Sequence, residues 1–107
     1  MNVMEKLKTI AERLNIPYAV HEYVGEAKEF CVYEVQEYEP AAFADNRATA
    51  HIAHASLDYI LPSNRSYSDL IWTISDLFTE LGFTDPLISI NHEEKYTELQ
   101  FSSEIRA

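Results

Sequence analysis

The chain has 107 residues, of which 47 % are hydrophobic, and its 18 acidic and 8 basic residues leave a net charge of −10. This is enough sequence for one modest core, so we predict a single domain over residues 1–107 and exclude a disordered chain. Because the chain has 2 glycines, 4 prolines and 1 cysteine, the composition also excludes a collagen-like chain, an intramolecular disulfide and a cysteine-based zinc site.

A helix and a short strand are predicted for the start of the chain. Apolar residues over residues 2–14 recur at the spacing of one helical stripe, with Asn2 placed to cap the helix and Glu5 placed to complete a capping box. Pro17 ends the helix, because the residue before a proline disfavours helical backbone. Residues 18–24 predict a short strand, which a turn separates from the next one.

Two longer strands follow and are predicted to pair. Residues 29–38 alternate as a strand does, and Pro40 is expected to end this strand because proline cannot donate to a sheet ladder. Residues 40–47 predict a connection, and residues 48–61 predict a long strand. The expected core face of this strand consists of Ala53, Ala55, Leu57, Tyr59 and Leu61. Together they predict an antiparallel hairpin with a loop longer than a tight turn.

A second helix and a terminal hairpin complete the predicted order. Residues 67–81 carry a broad apolar stripe, with Ser66 as the expected N-cap and Gly82 where a left-handed C-cap is needed. Residues 87–90 and 96–105 predict the two strands of the hairpin. The predicted fold class is α+β, in the order α-(β)-β-β-α-β-β, with two amphipathic helices packed on a mainly antiparallel sheet.

The acidic balance limits the partners that we expect. A surface of this charge repels phosphate backbones, so direct nucleic-acid binding is not expected. Six acidic residues lie between Glu22 and Glu39, either as a solvated surface that keeps the protein soluble or as a docking face for a basic partner. No apolar run approaches the roughly 18 residues of a membrane span, and no apolar signal core follows the N-terminus, so we expect neither membrane insertion nor secretion.

Residues that could carry chemistry form no recognisable motif. His51 and His54 are expected to point to opposite faces of a strand, where one metal ion cannot use both. Cys31 lies between apolar neighbours, which favours a buried cysteine over a reactive thiol. The two glycines cannot supply a P-loop or a dinucleotide fingerprint. We therefore predict no metal site, and no residue pattern here marks a catalytic or cofactor-binding site.

The carboxylates and aromatic residues could belong to an interface or to the ordinary surface and core of the domain. Glu34, Glu37 and Glu39 lie on one predicted strand, and its alternation is expected to separate them. Several tyrosines suit either a half-buried protein interface or the edge of a small core. Trp72 lies just off the main stripe of the second helix, where it either anchors an interface or widens the core face.

The layout carries a family resemblance, based on short phrases spread over nearly the whole chain. These phrases are the opening helix followed by residues 15–17, the strand 30–36, residues 43–47 leading into a strand that ends at 57–61, and the second helix running to residues 81–83. In this arrangement the chain resembles the small tail-completion proteins of long-tailed bacteriophages and prophages, the group of tail terminators and head–tail joining proteins.

The resemblance implies a structural virion-assembly protein that needs no cofactor and performs no reaction. Such proteins assemble, often as a hexameric ring, at the head-proximal end of the tail tube, where they stop tube growth and give the head connector a docking surface. The implied partners are copies of the same chain and other tail or connector proteins. The implied location is the bacterial cytoplasm during assembly and then the virion tail.

Ring contacts would be heterologous, which predicts an interface built from two different surfaces of each subunit. We expect these surfaces in the connections 40–47 and 62–66, with aromatic anchors beside them. The predicted interface residues are Tyr38, Asp45, Arg47, Tyr59 and Arg65. On this hypothesis, Arg65→Glu is expected to impair assembly and to leave the fold intact.

Two other functions stay open from the sequence alone. The acidic residues between Glu22 and Glu39 suit a small regulatory or inhibitor protein of the DNA-mimic type, which would bind a basic protein. The histidine and glutamate residues leave a small hydrolase or metal-binding domain as a further alternative, which a measurement of metal content would test.

Overall fold

The computed structural model of the chain describes residues 1–44 and 47–107. Its elements are helices α1 (Val3–Arg13) and α2 (Ser68–Glu80) and strands β1 (Tyr18–Val20), β2 (Phe30–Ala44), β3 (Arg47–Pro62), β4 (Leu87–His92) and β5 (Tyr96–Arg106). This order confirms the predicted α+β class with its two helices.

The strands form one sheet in the order β1-β2-β3-β5-β4. Strand β1 pairs parallel with β2, and the remaining neighbours pair antiparallel. Strand β1 ends earlier than predicted because His21 adopts a left-handed backbone, with φ of 67°. A parallel neighbour requires a connection that crosses back along the sheet. Residues 21–29 make this crossing on the side of the sheet opposite the helices.

The predicted Asn2 cap of helix α1 is confirmed. The Oδ1 atom of Asn2 accepts a hydrogen bond of 2.8 Å from the backbone N–H of Glu5, which satisfies one of the helix's unpaired donors. Helix α1 buries one stripe of side chains against the sheet, namely Val3, Leu7, Ile10 and Ala11. The chain then leaves the helix through Asn15, whose φ of 56° is left-handed.

Helix α2 differs from the prediction at its start and agrees with it at its end. Tyr67, not Ser66, occupies the N-cap position, and no side chain caps this end; the Tyr67 hydroxyl instead lies 3.2 Å from Nε2 of His92. At the other end Gly82 has a φ of 93°, and the N–H of Phe83 donates to the carbonyl of Phe78. Phe83 also packs edge-on against Phe78, so this C-cap has the expected apolar contact.

The core lies between the two helices and one face of the sheet. The predicted core face of β3 is confirmed, because its alternate residues are buried: Ala53, Ala55, Leu57, Tyr59 and Leu61. Phe78 of α2 meets Phe101 of β5 at the centre of this core. Cys31 is also fully buried there, and burial raises the pKa of its thiol to about 12, so it acts as a small hydrophobe.

Pro40 does not end strand β2, and residues 40–44 and 47, which we predicted to lie in a loop, belong to strands β2 and β3. Strand β2 continues to Ala44, with shifts of the β2–β3 register between Val35 and Glu37 and on both sides of Ala42. Proline is tolerated at irregularities and on edge strands, and Pro40 meets both conditions, because β1 pairs with β2 only up to Tyr33.

Candidate functional site

The face of the sheet opposite the helices, here called the open face, is strongly acidic. Its residues alternate with the core residues along β2, β3 and β5. The acidic residues that this alternation places on the open face are Glu34, Glu37, Glu39, Asp58, Glu98 and Glu104. These carboxylates come from three separate segments of the sequence, and strand pairing brings them to one surface.

A β-bulge gathers the three glutamates of β2 on that face. Val35 pairs with Ala55 and Glu37 pairs with His54, so Gln36 is an extra residue between two consecutive pairs. An extra residue reverses the alternation that follows it. Glu34, before the bulge, therefore shares the open face with Glu37, and with Glu39 two residues further on. The prediction that alternation separates these glutamates is wrong for this physical reason.

His54 links the acidic strands across the open face. Its Nε2 lies 2.8 Å from Oε2 of Glu39 on β2, and its Nδ1 lies 3.3 Å from Oε1 of Glu104 on β5. The hydrogen bond to Glu39, supported by the nearby charges of Glu104 and Glu37, raises the pKa of His54. The positive charge on His54 is thus retained to higher pH than in an isolated histidine, and its loss makes the face more negative.

The residues considered for a metal site do not come together. His51 and His54 lie three residues apart on β3, which places them on opposite faces, as predicted. Among residues 1–44 and 47–107, no group of three or more His, Cys, Asp or Glu side chains lies close enough to hold a metal ion. Neither helix in this described part of the chain is long and apolar enough to cross a membrane.

The β2–β3 hairpin extends beyond the rest of the sheet as a two-stranded ribbon, here called the arm (residues 40–44 and 47–51). Strand β5 pairs with β3 only as far as Ile52 and Arg106. Past that point the described strand pairs join β2 to β3 alone, from Pro40–His51 to Ala44–Arg47. The arm contributes to an elongated molecule of 54 × 26 × 23 Å.

The predicted interface residues divide between the arm and the opposite end of the hairpin. Tyr38 is 51 % exposed just before the arm, and Arg47 is exposed on it. Asp45 lies outside the described residues. Tyr59 is only 2 % exposed, because its ring faces the core, so its assignment as an interface anchor is wrong.

Arg65 and Tyr59 instead meet at one carboxylate far from the arm. The Tyr59 hydroxyl donates a hydrogen bond to Glu29, and the Arg65 guanidinium pairs with the other oxygen of the same carboxylate. Burial raises the pKa of Tyr59 to about 12, so it remains a hydrogen-bond donor. This contact fastens the end of the crossing segment to the sheet. Arg65 therefore has a structural partner within its own chain.

The structure excludes one of the two alternatives for Trp72. It lies on α2 and is 70 % exposed, so it does not widen the core face. An exposed tryptophan is a typical anchor of a protein interface.

Comparison of the sequence with protein-family models finds no matching family, and a search of the curated proteins finds no match. The resemblance to tail-completion proteins therefore stays a prediction.

Proposed function

We propose that the protein is a structural assembly protein of the tail-completion type, which binds further copies of itself and other tail or connector proteins through the arm. The observation that carries this proposal is the extension of the arm past the five-stranded sheet. The role requires no catalysed reaction and no cofactor. On this proposal the protein works in the bacterial cytoplasm during assembly and afterwards in the virion tail.

The arm has the backbone chemistry of an interaction element. A two-stranded ribbon is marginally stable by itself in water, and its outer edges carry backbone groups that can pair with another strand. Its residues are mostly small, as the sequence between Pro40 and His51 contains five alanines. Small side chains let another backbone approach closely but bury little surface within one chain. Docking on a neighbouring subunit would stabilise such an arm.

The charges favour a head-to-tail arrangement. Arg47 on the arm is a cation at the tip of an acidic molecule, and the open face of a neighbouring copy offers carboxylates to it. The net charge of −10 also makes subunits repel one another at low salt. We therefore expect self-association to strengthen as salt screens this repulsion.

An arm-deleted chain provides the test. Glu39 and Ile52 are partners in the β2–β3 register, so residues 40–51 can be replaced by an Asn-Gly turn between them. We expect light scattering to show a ring-sized species of the full chain at high concentration and high salt. We expect the arm-deleted chain to stay monomeric with an unchanged melting temperature.

Glu5→Gln on α1 is the control, since it changes an exposed side chain away from the arm. Assembly of the arm-deleted chain to the same extent as the full chain would contradict the role of the arm. A full chain that stays monomeric under every condition would contradict self-assembly and would favour the second candidate function.

The second candidate is an inhibitor of the DNA-mimic type that binds a basic protein, and the acidic open face favours it. The bulge at Gln36 places Glu34, Glu37 and Glu39 on one face of β2, and His54 of β3 links Glu39 to Glu104 of β5. In a competition assay, the chain would displace duplex DNA from a basic DNA-binding protein at low salt. A Glu37→Gln and Glu39→Gln double variant would lose this ability, whereas Glu5→Gln on α1 would keep it.

A further inference from the structure

A pocket lies on the open face at the end away from the arm. The crossing segment 21–29, the first residue of β2 and the start of β5 form its walls, and the following residues of β2 together with β3 form its floor. Its volume is about 590 Å³, within the roughly 300–1,000 Å³ typical of small-molecule sites. The pocket is separate from the arm, and it lies on the other side of the sheet from the core.

The pocket is mainly apolar and aromatic. Val32 and Ile60 form the apolar floor, while Tyr23, Phe30 and Tyr96 form the walls. The rings of Tyr23 and Phe30 stack with their centroids 4.3 Å apart, so this wall is held in a defined position. Tyr96 is partly exposed at the mouth. Flat aromatic surfaces of this kind favour a ligand that is itself flat or cationic.

One carboxylate, that of Asp58, stands in the apolar floor. The Oδ1 atom of Asp58 is buried and makes no hydrogen bond to any described residue. Burial, together with the negative charges of Glu98 and Glu34, raises the pKa of Asp58 to about 6. Asp58 is therefore mostly an unpaired anion at neutral pH, and this state is unfavourable until a positive hydrogen-bond donor approaches.

We propose that this pocket binds a small organic cation, an aryl-alkyl ammonium, with the ammonium group on the Asp58 carboxylate and the aromatic ring against Tyr23 and Phe30. The buried acceptor provides the charge-assisted hydrogen bond, and the walls provide apolar contact. This inference is independent of the arm and of the proposed assembly.

The charged groups around the pocket select among ligand classes. Glu98 and Glu22 line it, and the carboxylate of Glu34, paired with His21 at 2.9 Å, lies close to Asp58. A bare metal ion is disfavoured, since the described acidic and histidine side chains form no cluster that would ligate one. An organic cation satisfies both the carboxylate and the aromatic walls.

Two exposed lysines, Lys28 and Lys95, also line the pocket and would suit an anion. The experiment must therefore compare ligands of the same shape and different charge. Tyramine is a cation, tyrosol replaces its ammonium by a hydroxyl, and phloretate replaces it by a carboxylate. All three share the same aromatic ring and a similar chain.

Calorimetric titration of the full chain with these three probes tests the proposal. We expect tyramine to bind with a dissociation constant in the millimolar range or below, and tyrosol and phloretate to bind at least about tenfold more weakly. Asp58→Asn keeps the shape of the side chain and is expected to weaken tyramine binding by about tenfold or more. Glu104→Gln, an open-face carboxylate outside the pocket, is the matched control and should leave binding unchanged.

Four results would overturn the proposal. They are equal binding of tyramine and tyrosol, tighter binding of phloretate than of tyramine, unchanged tyramine binding by Asp58→Asn, and no tyramine binding at millimolar concentration. The comparison of probes uses the unaltered chain, so it tests the proposal independently of the variant.

Discussion

Replacing Asp58 by asparagine is expected to stabilise the protein at neutral pH. The pKa of Asp58 is raised from the ordinary 3.8 to about 6, first by burial and then by Glu98 and Glu34. Between these two pH values the folded chain holds a proton that the unfolded chain has released. The folded state therefore loses stability as the pH rises from about 4 to about 6, and asparagine, which does not ionise, avoids this loss.

The size of the effect follows from the two pKa values. A difference of about 2 in pKa corresponds to at most about 3 kcal/mol in the free energy of unfolding. Asp58 is only partly buried, so water screens its charge, and the amide of asparagine also goes unpaired in the same place. We therefore expect Asp58→Asn to raise the free energy of unfolding at pH 7 by about 1–2 kcal/mol.

Urea denaturation of the parent chain and of Asp58→Asn at pH 7 and at pH 4 measures this difference. We expect Asp58→Asn to have a higher free energy of unfolding than the parent chain at pH 7. This difference should nearly vanish at pH 4, where Asp58 is protonated in the folded state. Glu104→Gln is the control, and its effect should stay within about 0.5 kcal/mol at both pH values. A variant that is less stable than the parent chain at pH 7 would refute the reasoning, because it would show that the ionised carboxylate is stabilised within the fold.

Three further predictions concern other parts of the molecule. The NMR titration midpoint of His54 should lie above pH 6.5 and should fall in Glu39→Gln, and an unchanged midpoint in the variant would contradict the hydrogen bond between the two side chains. The stabilisation that His54 provides is complete below pH 6.5 and is lost as the pH rises through its folded pKa. Gly82→Ala should lower the free energy of unfolding by about 1 kcal/mol in urea denaturation, because a φ of 93° strains any residue with a Cβ atom, and a neutral result would argue against this C-cap. Arg65→Glu should lower the melting temperature more than Arg65→Gln does, because it sets a second carboxylate beside Glu29. We expect the free energy of unfolding of the two variants to differ by about 1 kcal/mol, and equal melting temperatures would count against this contact.

The expected effect of Arg65→Glu also changes how assembly should be tested. From the sequence, this substitution was expected to affect assembly and to spare the fold. The ion pair with Glu29, whose carboxylate also accepts the Tyr59 hydroxyl, makes a loss of stability the expected result. Arg47→Glu on the arm is the cleaner probe of assembly, since Arg47 is exposed.

The sequence by itself determined the features that depend on neighbouring residues. The apolar stripes identified both helices, Asn2 and Gly82 marked helix ends, and alternation along β3 identified its core face. These signals are local, because a helix cap or a stripe is complete within a few residues of one segment. The order of the elements and the α+β class follow from them.

Only the tertiary structure decided the features that depend on pairing between distant segments. The bulge at Gln36, which unites the glutamates of β2 on the open face, exists only in relation to the register with β3. Pro40 remains in a strand because β1 leaves that edge of β2 unpaired. Asp58 lies in a pocket because residues 21–29 cross over the sheet above it. In each case the deciding contact joins residues far apart in the chain, and no local pattern encodes which of them will meet.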